Sequence, residues 1–222
     1  MTILDLDALD ARVKAQRENY SENFRVRIHH ALSWLKQAQC SDSLDFKFIS
    51  LWIALNAAYA REIREESLGD KATVKEFIQR VCAYDEDHQI YDLIWEKFSG
   101  NIRLLLDNQF IFQPFWDFHN GKISENEWKK AFVLSSSEVL YGLETKKTAR
   151  ILTILFQRLY TLRNQILHGG ATFESSLNRT QLTYACNILA FLLPPMIEIM
   201  LNHHDKFDGW GKPFYPAVKN AG

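Results

Sequence analysis

Two side chains at the end of one periodic segment could together do acid–base work on a phosphate. They are Arg163 and His168, in the run L-R-N-Q-I-L-H-G-G from Leu162 to Gly170. A guanidinium grips a phosphate through a planar, bidentate fork, and an imidazole can take or give a proton near neutral pH. Asn164, the next residue, could orient the anion or the imidazole by hydrogen bonding. The bare spacing R-x4-H is weak. With twelve arginines and seven histidines in 222 residues, chance alone supplies about 0.4 matches. A second match, Arg25 with His30, has no polar residue after the arginine and meets no glycine, so it reads as a decoy. Arg163 and His168 also have a plain reading as cations that suit a helix C-terminus.

The element that must position them is a helix from Thr145 to His168, stopped by Gly169-Gly170 because glycine enters the left-handed region cheaply. At 100° per residue, Ile151, Leu155, Leu159, Leu162 and Ile166 gather within about 80° as a core stripe. Phe156, Tyr160, Asn164, Leu167 and His168 form a second stripe, with Arg163 on its near edge, that suits a partner chain. Tyr160 fits either interface packing or stacking on a base. Three more segments carry the helical period: Tyr20 to Gln39, Leu44 to Glu66, and Ser176 to Asn202 with a kink expected at Pro194-Pro195. Period-two alternation is scarce, so the fold class is all-α, an up-and-down bundle forming one domain over 1–222.

Residues 70–143 read as a mostly helical, aromatic-rich insertion between the second and third of these helices. Lys71 to Tyr84 and Asp85 to Ser99 read as short helices. Phe110 to Asn120 holds five aromatics around a proline: a surface for stacking bases, or a small core that docks the insertion, as large apolar residues usually pack inward. Ser124 to Glu127 has the form of a capping box opening a helix through Leu134. The tail, 209–222, reads as loop.

Charge and composition narrow the classes. The chain is 47% hydrophobic and 13% aromatic, too apolar to be disordered over most of its length. Cys40, Cys82 and Cys186 are odd in number and widely spaced, which fits a reduced, cytoplasmic protein without a structural zinc site. His203-His204-Asp205 reads as a helix cap rather than a metal site. The apolar run Ile188 to Ile197 falls short of the roughly 20 residues a span needs, so no membrane segment is expected. Net charge is −1, yet Thr145 to Phe173 holds Lys146, Lys147, Arg150, Arg158 and Arg163 with no Asp or Glu. A locally positive helix on an acidic body is the pattern expected for a phosphate backbone, although a solvated helix face would read the same way.

R-N-x-x-x-H-G closing an amphipathic helix, together with F-I-S-L-W-I-A-L-N-A-A-Y from Phe48 to Tyr59, resembles the HEPN superfamily and in particular its Apea-like group. The resemblance covers the second, third and fourth main helices and says little about 70–143. It implies a bundle that dimerises so that two R-x4-H motifs face one cleft, and a metal-independent endoribonuclease with no cofactor, of the kind found among toxin–antitoxin and phage-defence effectors. Arg163 and His168 would then be the catalytic pair. Asn164, Asn56, Tyr160 and Arg158 would bind or orient RNA. Asn56 has a second reading as a buried hydrogen-bonding residue. The resemblance equally allows a non-catalytic RNA-binding or adaptor module, with an antitoxin or a nucleotidyltransferase as partner. In one branch toxins are silenced at a tyrosine two residues past the histidine; here that position is Gly170.

Overall fold

The computed structural model describes residues 5–61, 70–213 and 215. They are helical throughout, with no strand among the described residues. In chain order the helices are α1 (Leu6–Ala15), α2 (Glu22–Gln39), α3 (Leu44–Tyr59), α4 (Asp70–Ala83), α5 (Gln89–Asp92), α6 (Ser99–Leu106), α7 (Gln113–His119), α8 (Glu125–Glu144), α9 (Thr148–Leu167), α10 (Arg179–Asn202) and α11 (His204–Asp208). A π-helical turn, Leu93–Lys97, joins α5 to α6.

α2 begins at Ser21, whose hydroxyl accepts from the Phe24 amide, and turns Phe24, Ile28, Ala31, Leu32 and Leu35 inward at spacings of three and four. α3 and α10 are apolar nearly all round and are therefore the central helices. α10 runs unbroken through Pro194 and Pro195. It is long and apolar enough to cross a membrane by composition, so length does not exclude a span as the sequence reading held; most of that apolar stretch is buried inside the fold.

α3 stops at Tyr59, well before the expected Glu66; residues 62–66 lie outside the described residues. Tertiary donors occupy its last carbonyls. The Arg27 guanidinium donates to Ala58 O at 3.0 Å and Ala60 O at 2.7 Å, and Trp210 Nε1 donates to Tyr59 O at 2.6 Å. A C-terminus capped in this way needs no further turn. Arg27 also donates to Gly211 O at 3.1 Å, and burial lowers its pKa to about 10. The expected loop tail thus starts as a plug: Trp210 is buried, with Arg61 and Arg80 stacked over its ring at 4.5 and 4.7 Å.

The stretch 70–143 is not one uniform appendage. Phe77, Ile78, Val81, Ile90, Leu93, Ile102 and Leu105 belong to the same continuous core as α2, α3 and α10. From Gln109 onward the packing is ring on ring. Phe112 meets Phe132, and Phe115 meets Trp116 and Trp128, each at 5.3 Å. The capping box at Ser124 and Glu127 is formed, but α8 continues ten residues past Leu134. α8 and α9 then pack as an antiparallel hairpin, with Ser135 beside Arg158 and Gly142 against Ile151.

Candidate functional site at the end of the ninth helix

Four of the five residues of the core stripe of α9, Ile151, Leu155, Leu159 and Leu162, are sealed inside, and Ile166 near the end is half-buried. The second stripe divides. Phe156 is buried, and Tyr160 packs edge-on against Trp52 of α3 at 5.9 Å, so this half is covered by the chain's own bundle. A free face remains only over the last two turns, where Asn164 is half-buried and Leu167 and His168 are exposed.

Arg163 is half-buried there. Its guanidinium donates to Asn164 Oδ1 at 2.8 Å and lies 5.3 Å from the Tyr160 ring and 6.0 Å from the Trp52 ring. Aromatic faces hold a guanidinium without neutralising it, so the positive charge stays available. Its Nε and the nearby Trp52 Nε1 are buried donors with no hydrogen-bond partner among the described residues. His168 caps α9, its amide donating to Asn164 O at 3.0 Å, and Gly169 follows at φ +70°. Five helical residues turn through about 140°, so Arg163 and His168 leave the helix on different sides. Among the described residues no hydrogen bond or ion pair engages the His168 side chain.

Gln165, which the motif passes over, fixes the surroundings. Its Nε2 donates to Phe110 O at 2.6 Å and its Oε1 accepts from Asn178 at 2.8 Å, tying the aromatic cluster and the loop after Gly170 to the same turn. A signal for this was present. On the helical wheel Gln165 falls about 40° from Ile151, at the border of the core stripe, where a polar side chain meets neighbouring elements. Exposed apolar side chains surround this end: Leu167, Leu177, and Phe46 tilted against Phe173 at 5.6 Å.

Two expected residues lie elsewhere. Arg158 is 3% exposed, beneath Phe112 at 4.2 Å, donating to Leu106 O at 3.2 Å and Ser135 Oγ at 2.9 Å. Burial lowers its pKa to about 10. It clamps α8 to α9 with its hydrogen-bonding edges turned inward, away from solvent, and its Nε is buried without a hydrogen-bond partner among the described residues. Asn56 lines a cavity of about 580 Å³ between α2 and α3, with His30, Trp34, Ile53, Arg61 and Thr73, and makes no hydrogen bond to the motif. Its Oδ1 is buried without a hydrogen-bond partner among the described residues. Burial, then the neighbouring His29, holds the His30 imidazole below its ordinary range.

The basic helix also divides. Lys146, Lys147 and Arg150 stand at its start, on the order of 30 Å along the axis from His168. Arg150 is shared with Glu138 at 3.4 Å and Tyr141 at 5.1 Å. Burial pushes the Cys82 and Cys186 thiols up to about 12, which leaves them protonated at neutral pH. His203 lies on Tyr84 at 4.9 Å, and His204 is edge-on to Tyr20 at 5.2 Å. Comparison with known proteins returned no matching family model, curated protein or solved structure.

Proposed function

We propose that the protein is an endoribonuclease of HEPN type, acting as a homodimer without a metal. The observation that carries this reading is the last turn of α9. There a guanidinium is steadied by Asn164 and two aromatic rings, and an unengaged imidazole stands one turn on, at a glycine stop. Arg163 would hold the phosphate. One His168 takes the proton of the 2′-hydroxyl as that oxygen bonds to phosphorus. The P–O5′ bond then breaks, and a protonated imidazole supplies the proton to the departing oxygen. The products are a 2′,3′-cyclic phosphate and a 5′-hydroxyl.

One protomer supplies a single imidazole, directed away from its own arginine. A second copy apposed across Leu167 and the Phe46–Phe173 pair brings the other acid–base group and a second guanidinium. The setting that suits such an activity is cytoplasmic RNA under the control of an antitoxin or a nucleotidyltransferase, as in a toxin or phage-defence effector. The test is cleavage of a labelled RNA in EDTA with detection of the cyclic phosphate. Loss of product in His168→Ala and Arg163→Ala, with unchanged folding, is the expected result. Cleavage that survives in both variants sinks the assignment.

A second reading, a non-catalytic RNA-binding or adaptor module, draws on the burial of Arg158 and the distance of Lys146, Lys147 and Arg150, which leave Arg163 alone of the five cations of the basic helix near its C-terminal end. It predicts salt-sensitive RNA retention with no cyclic-phosphate product.

A further inference from the structure

α8 is a 20-residue helix that buries only Val139 and Gly142. On its outer side Val133, Leu134, Leu140 and Tyr141 stand 64%, 67%, 59% and 50% exposed. At 100° per residue these four, with Lys130, Ser137 and Glu144, fall within a stripe about 120° wide. The positions 130, 133, 134, 137, 140, 141 and 144 are symmetric about Ser137, with a cation at one end and an anion at the other. Laid antiparallel on itself, such a helix sets Leu134 against Leu140 of the second copy and Val133 against Tyr141. Lys130 then meets Glu144 at both ends. Ser137 falls on the twofold axis. Its hydroxyl is turned back onto Val133 O at 3.0 Å, leaving a small surface where two helices can approach closely.

We infer that the outer face of α8 is a self-association surface whose occupant is α8 of a second copy of this chain, paired antiparallel about Ser137. The charge pattern favours this occupant because a self-complementary row is the signature of an isologous contact. The stripe is also held in place: Arg150 covers Tyr141 and reaches Glu138, and Ser135 on the opposite side is tied to Arg158. The four apolar side chains expose roughly 450 Å² per copy, so the pair reaches the lower end of specific interface size once the rim is included. The association is therefore concentration-dependent.

This contact is distinct from the one proposed at His168. In the α8–α9 hairpin, His168 lies about twelve residues along from the level of Ser137, roughly 18 Å from the new axis. Two copies joined through α8 therefore hold their His168 side chains far apart. If the His168 contact also forms, the particle is a tetramer or an open chain; without it, the α8 pair is a dimer.

The test uses the full chain with Cys40→Ser, which removes the exposed native thiol. Ser137→Cys is expected to oxidise to a covalently joined pair, equally well in the presence of His168→Ala. Lys130→Glu alone and Glu144→Lys alone are each expected to weaken association by at least threefold in sedimentation equilibrium. The double variant restores it, because every cross-pair regains opposite signs. The inference is overturned if Ser137→Cys stays a free thiol at concentrations where the protein self-associates, if the double variant is no better than the singles, or if the mass stays monomeric at every concentration. Absence of RNA cleavage by the chain with Arg163 and His168 intact, with α8 pairing present, would count against the ribonuclease reading only.

Discussion

Arg158 and Arg163 stand five positions apart on α9, and the two guanidiniums meet opposite environments. Arg158 is sealed under Phe112, one terminal nitrogen donating to Leu106 O and Ser135 Oγ. Arg163 is half-buried, leans on Tyr160 and Trp52, and sits a turn from an exposed histidine. The middle of the helix is therefore built for holding and the end is left with unused capacity. Polar groups that a fold leaves unspent beside free surface are where binding or chemistry is to be sought.

The largest expected effect belongs to the end. His168→Ala should cut RNA cleavage by about 10²–10⁴-fold, the range for a lost general acid or base, with the melting temperature unchanged because the side chain touches no core. A variant that unfolds instead would show the end to be structural, like the middle.

The comparison also shows what the sequence could yield. α2, α3, α9 and α10 were legible because their apolar residues recur at three and four, and the stop at Gly169 was legible because its backbone lies at φ +70°. α1 escaped notice: only Leu6 and Leu9 are buried along it. The second half of α8 was lost at Ser135-Ser136-Ser137, since serine competes with helix through local hydrogen bonds. The burial of Arg158 was readable. It falls about 20° from Ile151 on the wheel, at the edge of the core stripe, but an arginine beside four other cations reads as surface. The placement of Asn56 on a separate cavity was not readable, because α3 is apolar on every side and its sequence does not say which neighbour each face meets.

Arg158→Ala comes second. It removes two hydrogen bonds and leaves a void beneath Phe112 and Phe132, so the fold should lose about 2–4 kcal/mol in denaturant titration. Cleavage per folded molecule should be retained. Arg158→Met should cost less than Ala, because it fills the space without burying a cation that lacks an acidic hydrogen-bond partner. If Met proves as costly as Ala, the hydrogen bonds to Leu106 and Ser135 matter more than the packing. Gln165→Ala tests the border between the two regions. Phe110 O and Asn178 each lose a partner, for an expected loss of about 1–2 kcal/mol. Faster amide exchange in the loop after Gly170 than in the core of α9 is the accompanying sign.

The smallest effect separates backbone geometry from side-chain chemistry at the end itself. A Cβ added at Gly169 would meet nothing within 4 Å, so the cost of Gly169→Ala is conformational alone, about 1–2 kcal/mol for a left-handed alanine. Asparagine tolerates that region better, and Gly169→Asn should recover part of the loss. If the glycine serves to aim His168, cleavage should fall in the alanine variant and return in the asparagine variant in step with stability. A drop in cleavage shared equally by both variants would mean that the open space beside Gly169, rather than its φ, is what the substrate or the second copy requires. Gly170 sharpens the distinction, since a Cβ there would stand 3.2 Å from Gln165 O. Gly170→Ala should therefore disturb the Gln165 tether to Phe110 and Asn178 at a conventional φ, and its effect should resemble Gln165→Ala more than Gly169→Ala.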